Sequence, residues 1–161
     1  MARKRPKGLI AMGWAAVEAA AKGRTEHVPT SADYPEDVVR RTSFVSGGGH
    51  GWRISALETP RVLPPPWKIV VITGAPSWAE YWAETLAELP PDREMIVVDR
   101  PGYAASEPLH PVTDIRVQAE ALAPVLKARP GQKVLLVGQS YGAAIASIMA
   151  EQNPGKVAGL V

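Results

Sequence analysis

Residues 134–144 read Val134-Leu135-Leu136-Val137-Gly138-Gln139-Ser140-Tyr141-Gly142-Ala143-Ala144. The opening four residues are continuously apolar, the habit of a strand covered on both faces in a parallel sheet between helices. The Ala-rich stretch from Ala143 to about Glu151 reads as a helix. Between them the pattern G-x-S-x-G puts Ser140 at the tip of a sharp strand-to-helix turn. A serine there is forced into a strained backbone conformation, and glycines two positions either side remove side chains that would collide as the helix folds back. The N–H of Tyr141, at the helix N-terminus, then points toward an oxyanion developing on a carbonyl.

Working outward, Ile69-Val70-Val71-Ile72 and Met95-Ile96-Val97-Val98 repeat the same continuous apolar habit. Between the runs, Trp78, Tyr81, Trp82, Thr85, Leu86 and Leu89 recur at helical spacing, with Ser77 and Glu80 in the form of a capping box and Pro90-Pro91 as the stop. A second helix is predicted over 113–129, kinked at Pro124, with Lys127 and Arg129 at its negative end and Gly131 as terminator. A last strand begins near Lys156. Trp78 reads as core packing, with a place at the mouth of a pocket as the alternative. Upstream, Arg41–Ser46 and Trp52–Glu58 read as a half-exposed antiparallel hairpin around Gly47-Gly48-Gly49-His50-Gly51. These glycines read as a turn rather than a phosphate cradle, because no helix start follows them. Pro64-Pro65-Pro66 reads as a stiff spacer. Residues 1–40 are then an N-terminal segment and linker, and 41–161 one domain. The fold class is α/β: a mostly parallel sheet with helices on both faces and an N-terminal antiparallel hairpin.

Composition narrows the chemistry. The 161 residues are 46% hydrophobic and 21% charged, which suits one globular domain and excludes disordered and fibrous classes. There is no cysteine, so thiolate nucleophiles, disulfides and Cys-ligated zinc are excluded. His27, His50 and His110 are far apart and lack a metal-ligand spacing; neither a metal nor a cofactor is expected. Four of the 18 basic residues, Arg3, Lys4, Arg5 and Lys7, fall in the first eight positions, leaving 14 against 16 acids. The body is mildly acidic, and nucleic acid is not expected as a partner. The basic cluster leads into Leu9–Val17 and an A-x-A end at Ala19 and Ala21. That stretch reads as an amphipathic helix making weak membrane-surface contact through residues 1–21, as a cleaved export signal, or as a tail. The corresponding location is cytoplasmic, with export or membrane association as the alternative.

With the Gly138–Gly142 turn stand two further motifs, Thr73-Gly74-Ala75-Pro76 after one strand and Asp99-Arg100-Pro101-Gly102-Tyr103 after another. In this order, on these elements, the chain over roughly residues 41–161 resembles the α/β-hydrolase family. The resemblance implies that Ser140 is the nucleophile and that the N–H groups of Ala75 and Tyr141 form an oxyanion hole. It also implies that Asp99 caps a turn rather than doing chemistry. Thr73 stands where the family's oxyanion loop commonly has His, and Ala104 and Ala143 stand where glycines are frequent. Members that cleave carbon–halogen bonds or epoxides carry Asp at the nucleophile position, so Ser140 implies a small-molecule acyl substrate: an ester, thioester or amide.

A serine hydroxyl needs a base, and in this family acid and histidine follow the nucleophile in the chain. The 21 residues after Ser140 hold no His and no Asp. Their one acid, Glu151, is eleven positions along the helix, about 16 Å away at 1.5 Å per residue. All three histidines precede Ser140, and His110 is the least implausible substitute. The expectation is the N-terminal portion of a longer hydrolase, truncated after its sixth strand, whose missing C-terminal portion carries the acid and His. Alone, the 161 residues should be nearly inactive. The alternatives are a noncatalytic module pairing with another chain through an open sheet edge, and a nucleotide-binding domain, disfavoured because G-x-G-x-x-G is absent. Neither substrate identity nor oligomeric state is legible.

Overall fold

Six strands form one sheet in a computed structural model that describes residues 29–60 and 66–161. The expectations for residues 1–28, and for all of the proline spacer but Pro66, lie outside the described residues. The strands are β1 (Arg40–Val45), β2 (Arg53–Glu58), β3 (Trp67–Ile72), β4 (Glu94–Val98), β5 (Lys133–Gly138) and β6 (Val157–Leu160), in spatial order β1-β2-β4-β3-β5-β6. β1 pairs antiparallel with β2 and β2 with β4, whereas β3, β4, β5 and β6 run parallel. Parallel neighbours require crossover connections, and helices supply them: α1 (Ala83–Ala87), α2 (Ile115–Leu122) and α3 (Tyr141–Gln152).

The continuous apolar runs serve two cores at once, because successive side chains point to opposite faces. Val70, Ile72, Ile96, Val98, Val134 and Leu136 meet α2 and α3 through Ala119, Leu122, Ile145 and Met149. Val71, Met95 and Val97 meet the other face, with Val39 and, from α1 and the turn before it, Ala79, Ala83 and Leu86. Each fully buried Val or Leu in these layers contributes about 1.5–3 kcal/mol. A polar substitution at any of these buried positions would therefore strike a core, whichever face it pointed to.

The hairpin forms as expected, but only β1 alternates between half-buried and exposed. Ile54, Ser55, Ala56 and Leu57 of β2 are all buried. The alternation of apolar and polar residues suggested a half-exposed strand, yet β2 lies inside the sheet between β1 and β4 and is covered on both faces. The turn docks onto the end of α2, where the Gly47 N–H donates to the Ala121 carbonyl at 3.0 Å. A Cβ on Gly47 would stand 2.4 Å from the Glu120 carbonyl oxygen, so this contact needs glycine.

Three helix details differ from the sequence reading. The 78–89 segment is a 3-10 turn, Ala79–Trp82, leading into the short α1, and Ser77 does not cap it. Glu80 instead accepts from the Ser31 N–H at 2.7 Å and the Ser31 hydroxyl at 2.8 Å, and pairs with Arg41. The second helix starts at Ile115, with Asp114 as N-cap accepting from the N–H groups of Arg116 and Val117, and tightens to 3-10 over Ala123–Leu126 around Pro124. Lys127 and Arg129 therefore lie beyond it, and Arg129 pairs with Glu94 across the sheet. Gly131, at φ +78°, belongs to the turn before β5. Trp78 is half-buried and meets Tyr81 edge-on at 4.8 Å. No helix among the described residues is long and apolar enough to cross a membrane.

Asp99, at the end of β4, is fully buried. One carboxylate oxygen accepts from the Ala79 N–H at 2.7 Å and the other pairs with Arg41 at 2.9 Å. It thus caps the turn that carries Glu80, and Arg41 of β1 binds both acids. Desolvation pushes the Glu80 carboxyl up, but the bonds from the Ser31 N–H and hydroxyl and from Arg41 outweigh it, so its pKa falls below the ordinary value. A depressed carboxylate stabilises the fold above its unfolded pKa, and that contribution is lost as pH falls through the folded value. Urea midpoints of the protein and of Glu80→Gln should differ by a constant amount near neutrality. The gap should close as pH drops below the usual carboxylate range; a pH-independent gap contradicts this account of the network.

Candidate active site

β5 ends at Gly138, α3 begins at Tyr141, and the chain reverses between them through Ser140 at φ 52°, ψ −119°. This is left-handed territory that a residue with a Cβ enters at a cost of about 1–3 kcal/mol. The surroundings hold it there. Gln139 donates to the Ile72 carbonyl at 3.0 Å, Gly142 to Gln139 at 2.8 Å, and Ala143 to Ser140 at 2.9 Å. Three glycines make room for the reversal. A Cβ on Gly138 would lie 2.4 Å from the Ala143 Cα, and one on Gly142 would lie 2.2 Å from the Ile72 carbonyl oxygen. On Gly74 it would lie 3.2 Å from the Ser140 Cβ. The consequence is a serine side chain on the exposed crest of the sheet, at the C-terminal ends of the parallel strands.

The segment after β3 lies beside this crest. Thr73 is buried, and its hydroxyl donates to the Val98 carbonyl at 3.3 Å. Gly74 donates its N–H to the Gln139 side chain at 3.3 Å, which ties the loop to the elbow. The N–H groups of Ala75 and Tyr141 have no hydrogen-bond partner among the described residues. The Tyr141 N–H stands next to Ser140 at the positive end of a 12-residue helix, and the Ala75 N–H follows Gly74, whose added Cβ would lie 3.2 Å from the Ser140 Cβ. Such a constellation can bind the negative oxygen of a tetrahedral adduct.

Behind the loop lies Arg100, fully buried, from the Asp99–Tyr103 motif. Its Nη2 donates to the Gly74 carbonyl at 2.9 Å and its Nη1 to the Gln118 side chain at 3.2 Å. The guanidinium carbon lies 3.9 Å from the Tyr103 ring centre and 5.0 Å from that of Tyr141. The Tyr141 hydroxyl donates to the Thr113 carbonyl at 3.3 Å. The signal that could have found Arg100 is an arginine directly after a core strand with an aromatic three positions on. The loop that follows is closed by Gly102, where a Cβ would meet the His110 carbonyl oxygen at 2.5 Å. Ala104, at φ 47°, keeps the left-handed conformation that a glycine would hold more cheaply.

Among the described residues no base stands at the serine. The Ser140 hydroxyl has no hydrogen-bond partner among the described residues, and neither His50 nor His110 contacts it. His50 stacks on Trp52 at 4.1 Å in the hairpin turn, and His110 is exposed in the loop after β4. His27 lies outside the described residues. Glu151 is near the far end of α3, as its spacing requires. Among the described residues no three His, Cys, Asp or Glu side chains cluster to hold a metal. A cavity lies elsewhere, at the N-terminal ends of the parallel strands between Val38, Thr59, Leu86 and Pro91.

A family model for the alpha/beta hydrolase fold matches residues 68–161. No curated protein matches the chain. Among solved structures, a point variant of the haloalkane dehalogenase DatA from Agrobacterium tumefaciens C58 is 24% identical, with a TM-score of 0.63, over 82% of this chain and 43% of that one. A thermophilic esterase from Thermogutta terrifontis is 22% identical, with a TM-score of 0.62, over 74% of this chain and 43% of that one. A membrane phospholipase A described as a bacterial virulence factor is 23% identical, with a TM-score of 0.61, over 94% and 50%. These likenesses concern the fold, and the chain spans half or less of the length of each of the three.

Proposed function

The chain belongs to the α/β-hydrolase fold family, and from that premise we propose that it is a serine hydrolase acting on an ester, thioester or amide through an acyl-enzyme intermediate. The observation that carries this reading is the strained, exposed conformation of Ser140, next to a Tyr141 N–H that has no partner among the described residues. In the proposed reaction a base removes the Ser140 proton as Oγ attacks the acyl carbon. The carbonyl oxygen takes the displaced electron pair and is held by the N–H groups of Ala75 and Tyr141. Collapse of the adduct expels the alcohol, thiol or amine, which leaves with a proton from the base. Water then repeats the attack on the ester at Ser140 and restores the hydroxyl.

The residue type argues against the dehalogenase chemistry of one structural neighbour. A serine oxygen that displaced halide would form an ether, which water does not cleave, whereas an acyl ester is readily hydrolysed. The base and its acid are, on this reading, supplied from outside the 161 residues. Two observations support that: neither described histidine reaches Ser140, and the chain spans 43% of the esterase it resembles. The test is turnover by the protein at its natural length, offered p-nitrophenyl esters, thioesters, anilides and 1-haloalkanes. Hydrolysis of at least one acyl class with no halide release is the expected result. Halide release, or the absence of hydrolysis of every acyl class, would overturn the reading.

A further inference from the structure

We propose that Arg100 is a positioning residue for the oxyanion hole, acting through the single peptide unit that joins Gly74 to Ala75. This rests on the reading of Ser140 as an acyl nucleophile. The carbonyl that accepts from Arg100 Nη2 at 2.9 Å and the N–H assigned to the oxyanion are the two ends of that one group. A trans peptide is planar, so its C=O and N–H point in opposite directions. The Gly74 oxygen also accepts from the Ser77 N–H at 3.2 Å, and its shorter bond from the guanidinium aims the Ala75 N–H away from Arg100. Gly74 itself lies against Ser140, where a Cβ would stand 3.2 Å from the serine Cβ. Donation to the carbonyl also draws charge through the amide and strengthens its N–H as a donor, the cooperative effect of chained hydrogen bonds.

Stability alone gives a poor account of this arginine. A buried cation costs several kcal/mol unless a carboxylate pairs with it, and among the described residues Arg100 has no such partner. The adjacent acid, Asp99, is committed to Arg41 and Ala79. The Nε of Arg100 is buried with no hydrogen-bond partner among the described residues. The faces of Tyr103 and Tyr141 offset part of the cost. Gln118 fixes the other arm, itself held by donation to the Val112 carbonyl at 2.6 Å. The arrangement places a full positive charge behind the peptide whose N–H faces the reaction.

The test reads the peptide directly, by NMR of the intact chain and its variants. In Arg100→Met the Ala75 amide proton should move upfield by a few tenths of a ppm, with the Gly74 carbonyl carbon moving upfield as well. Arg100→Lys should restore part of both shifts, while the amides of Ile96 and Val97 stay in place as reporters of an intact fold. Gln118→Leu, which releases the guanidinium without removing its charge, should move Ala75 in the same direction by less. If Arg100→Met does not fold, Gln118→Leu and Arg100→Lys decide. An Ala75 amide unmoved in the folded variants overturns the proposal. Acylation of Ser140 in the natural-length protein should slow roughly tenfold or more in Arg100→Lys, less than the loss of a whole oxyanion donor costs. An unchanged rate overturns the positioning role. A protein in which Ala75 responds but Ser140 never acylates overturns the functional reading instead, so the two failures are distinguishable.

Discussion

Ser140→Gly should yield a protein more stable than the parent and unable to form an acyl adduct. The φ of 52° at this position costs a side-chain-bearing residue about 1–3 kcal/mol, and glycine enters the same region freely. Against that gain stands the greater backbone entropy that glycine loses on folding, about 0.5–1 kcal/mol. The net expectation is a stabilisation of about 1 kcal/mol, read as a higher urea midpoint at unchanged slope. Ser140→Ala keeps the Cβ and so the strain; it should match the parent in stability to within about 0.5 kcal/mol. In the natural-length protein both variants should lose on the order of a millionfold in turnover, as removal of a serine nucleophile does. The comparison isolates strain from chemistry, since both lose the hydroxyl and only one relaxes the turn. A Ser140→Gly protein less stable than Ser140→Ala would mean that the left-handed turn is not under tension.

Gly142→Ala should be among the most destabilising single substitutions in the chain, although helix propensity alone predicts the reverse. Replacing a helical glycine by alanine gains about 1 kcal/mol where nothing else changes. Here the new Cβ would stand 2.2 Å from the Ile72 carbonyl oxygen and 2.7 Å from that of Thr73. Both obstacles are backbone, so no rotamer change relieves them. Only a displacement of α3 from the end of β3 would, and that opens the core around Ile145 and Met149. Overpacking of this kind costs about 1–3 kcal/mol and occasionally more, and with so short a contact the upper end is expected. The net loss should be about 2 kcal/mol or greater. Because the same shift drags Ser140 from Gly74, acylation should fall with stability. A variant at or above the parent's urea midpoint would show that helix and sheet are not in the close contact described.

The elbow was legible because its determinants are local: a continuous apolar run, two glycines spaced around a serine, and an alanine-rich helix all lie within eighteen residues. The central strands were legible for a related reason, since a strand buried on both faces cannot alternate. What escaped the sequence depends on partners distant in the chain. Ser77 and Glu80 have the spacing of a capping box, but Glu80 is captured by Ser31, 49 positions upstream, and by Arg41. With that carboxylate committed elsewhere, the Ser77 N–H donates to the Gly74 carbonyl instead, and the Ala79 N–H is satisfied by Asp99 from the end of a neighbouring strand. β2 alternates like a half-exposed strand, and the sheet order, which places it beside β4, explains why its polar Ser55 is buried and bonded through its N–H to the Ser106 hydroxyl. Arg100 carries no local signal of its role, because nothing near it in sequence accepts its protons. Its acceptors, Gly74 and Gln118, lie 26 positions before it and 18 after it.

The account turns on whether the Ser140 oxygen attacks electrophiles, and the direct measurement is the site of covalent labelling by a fluorophosphonate, located by peptide mass spectrometry. Imidazole can be added in solution as a surrogate for the base that neither described histidine provides. The 161-residue chain should label slowly, and imidazole should accelerate labelling at Ser140 alone, with none in Ser140→Ala. Labelling at another residue, or a Ser140 that stays unmodified at every imidazole concentration and in the natural-length protein as well, would contradict the account.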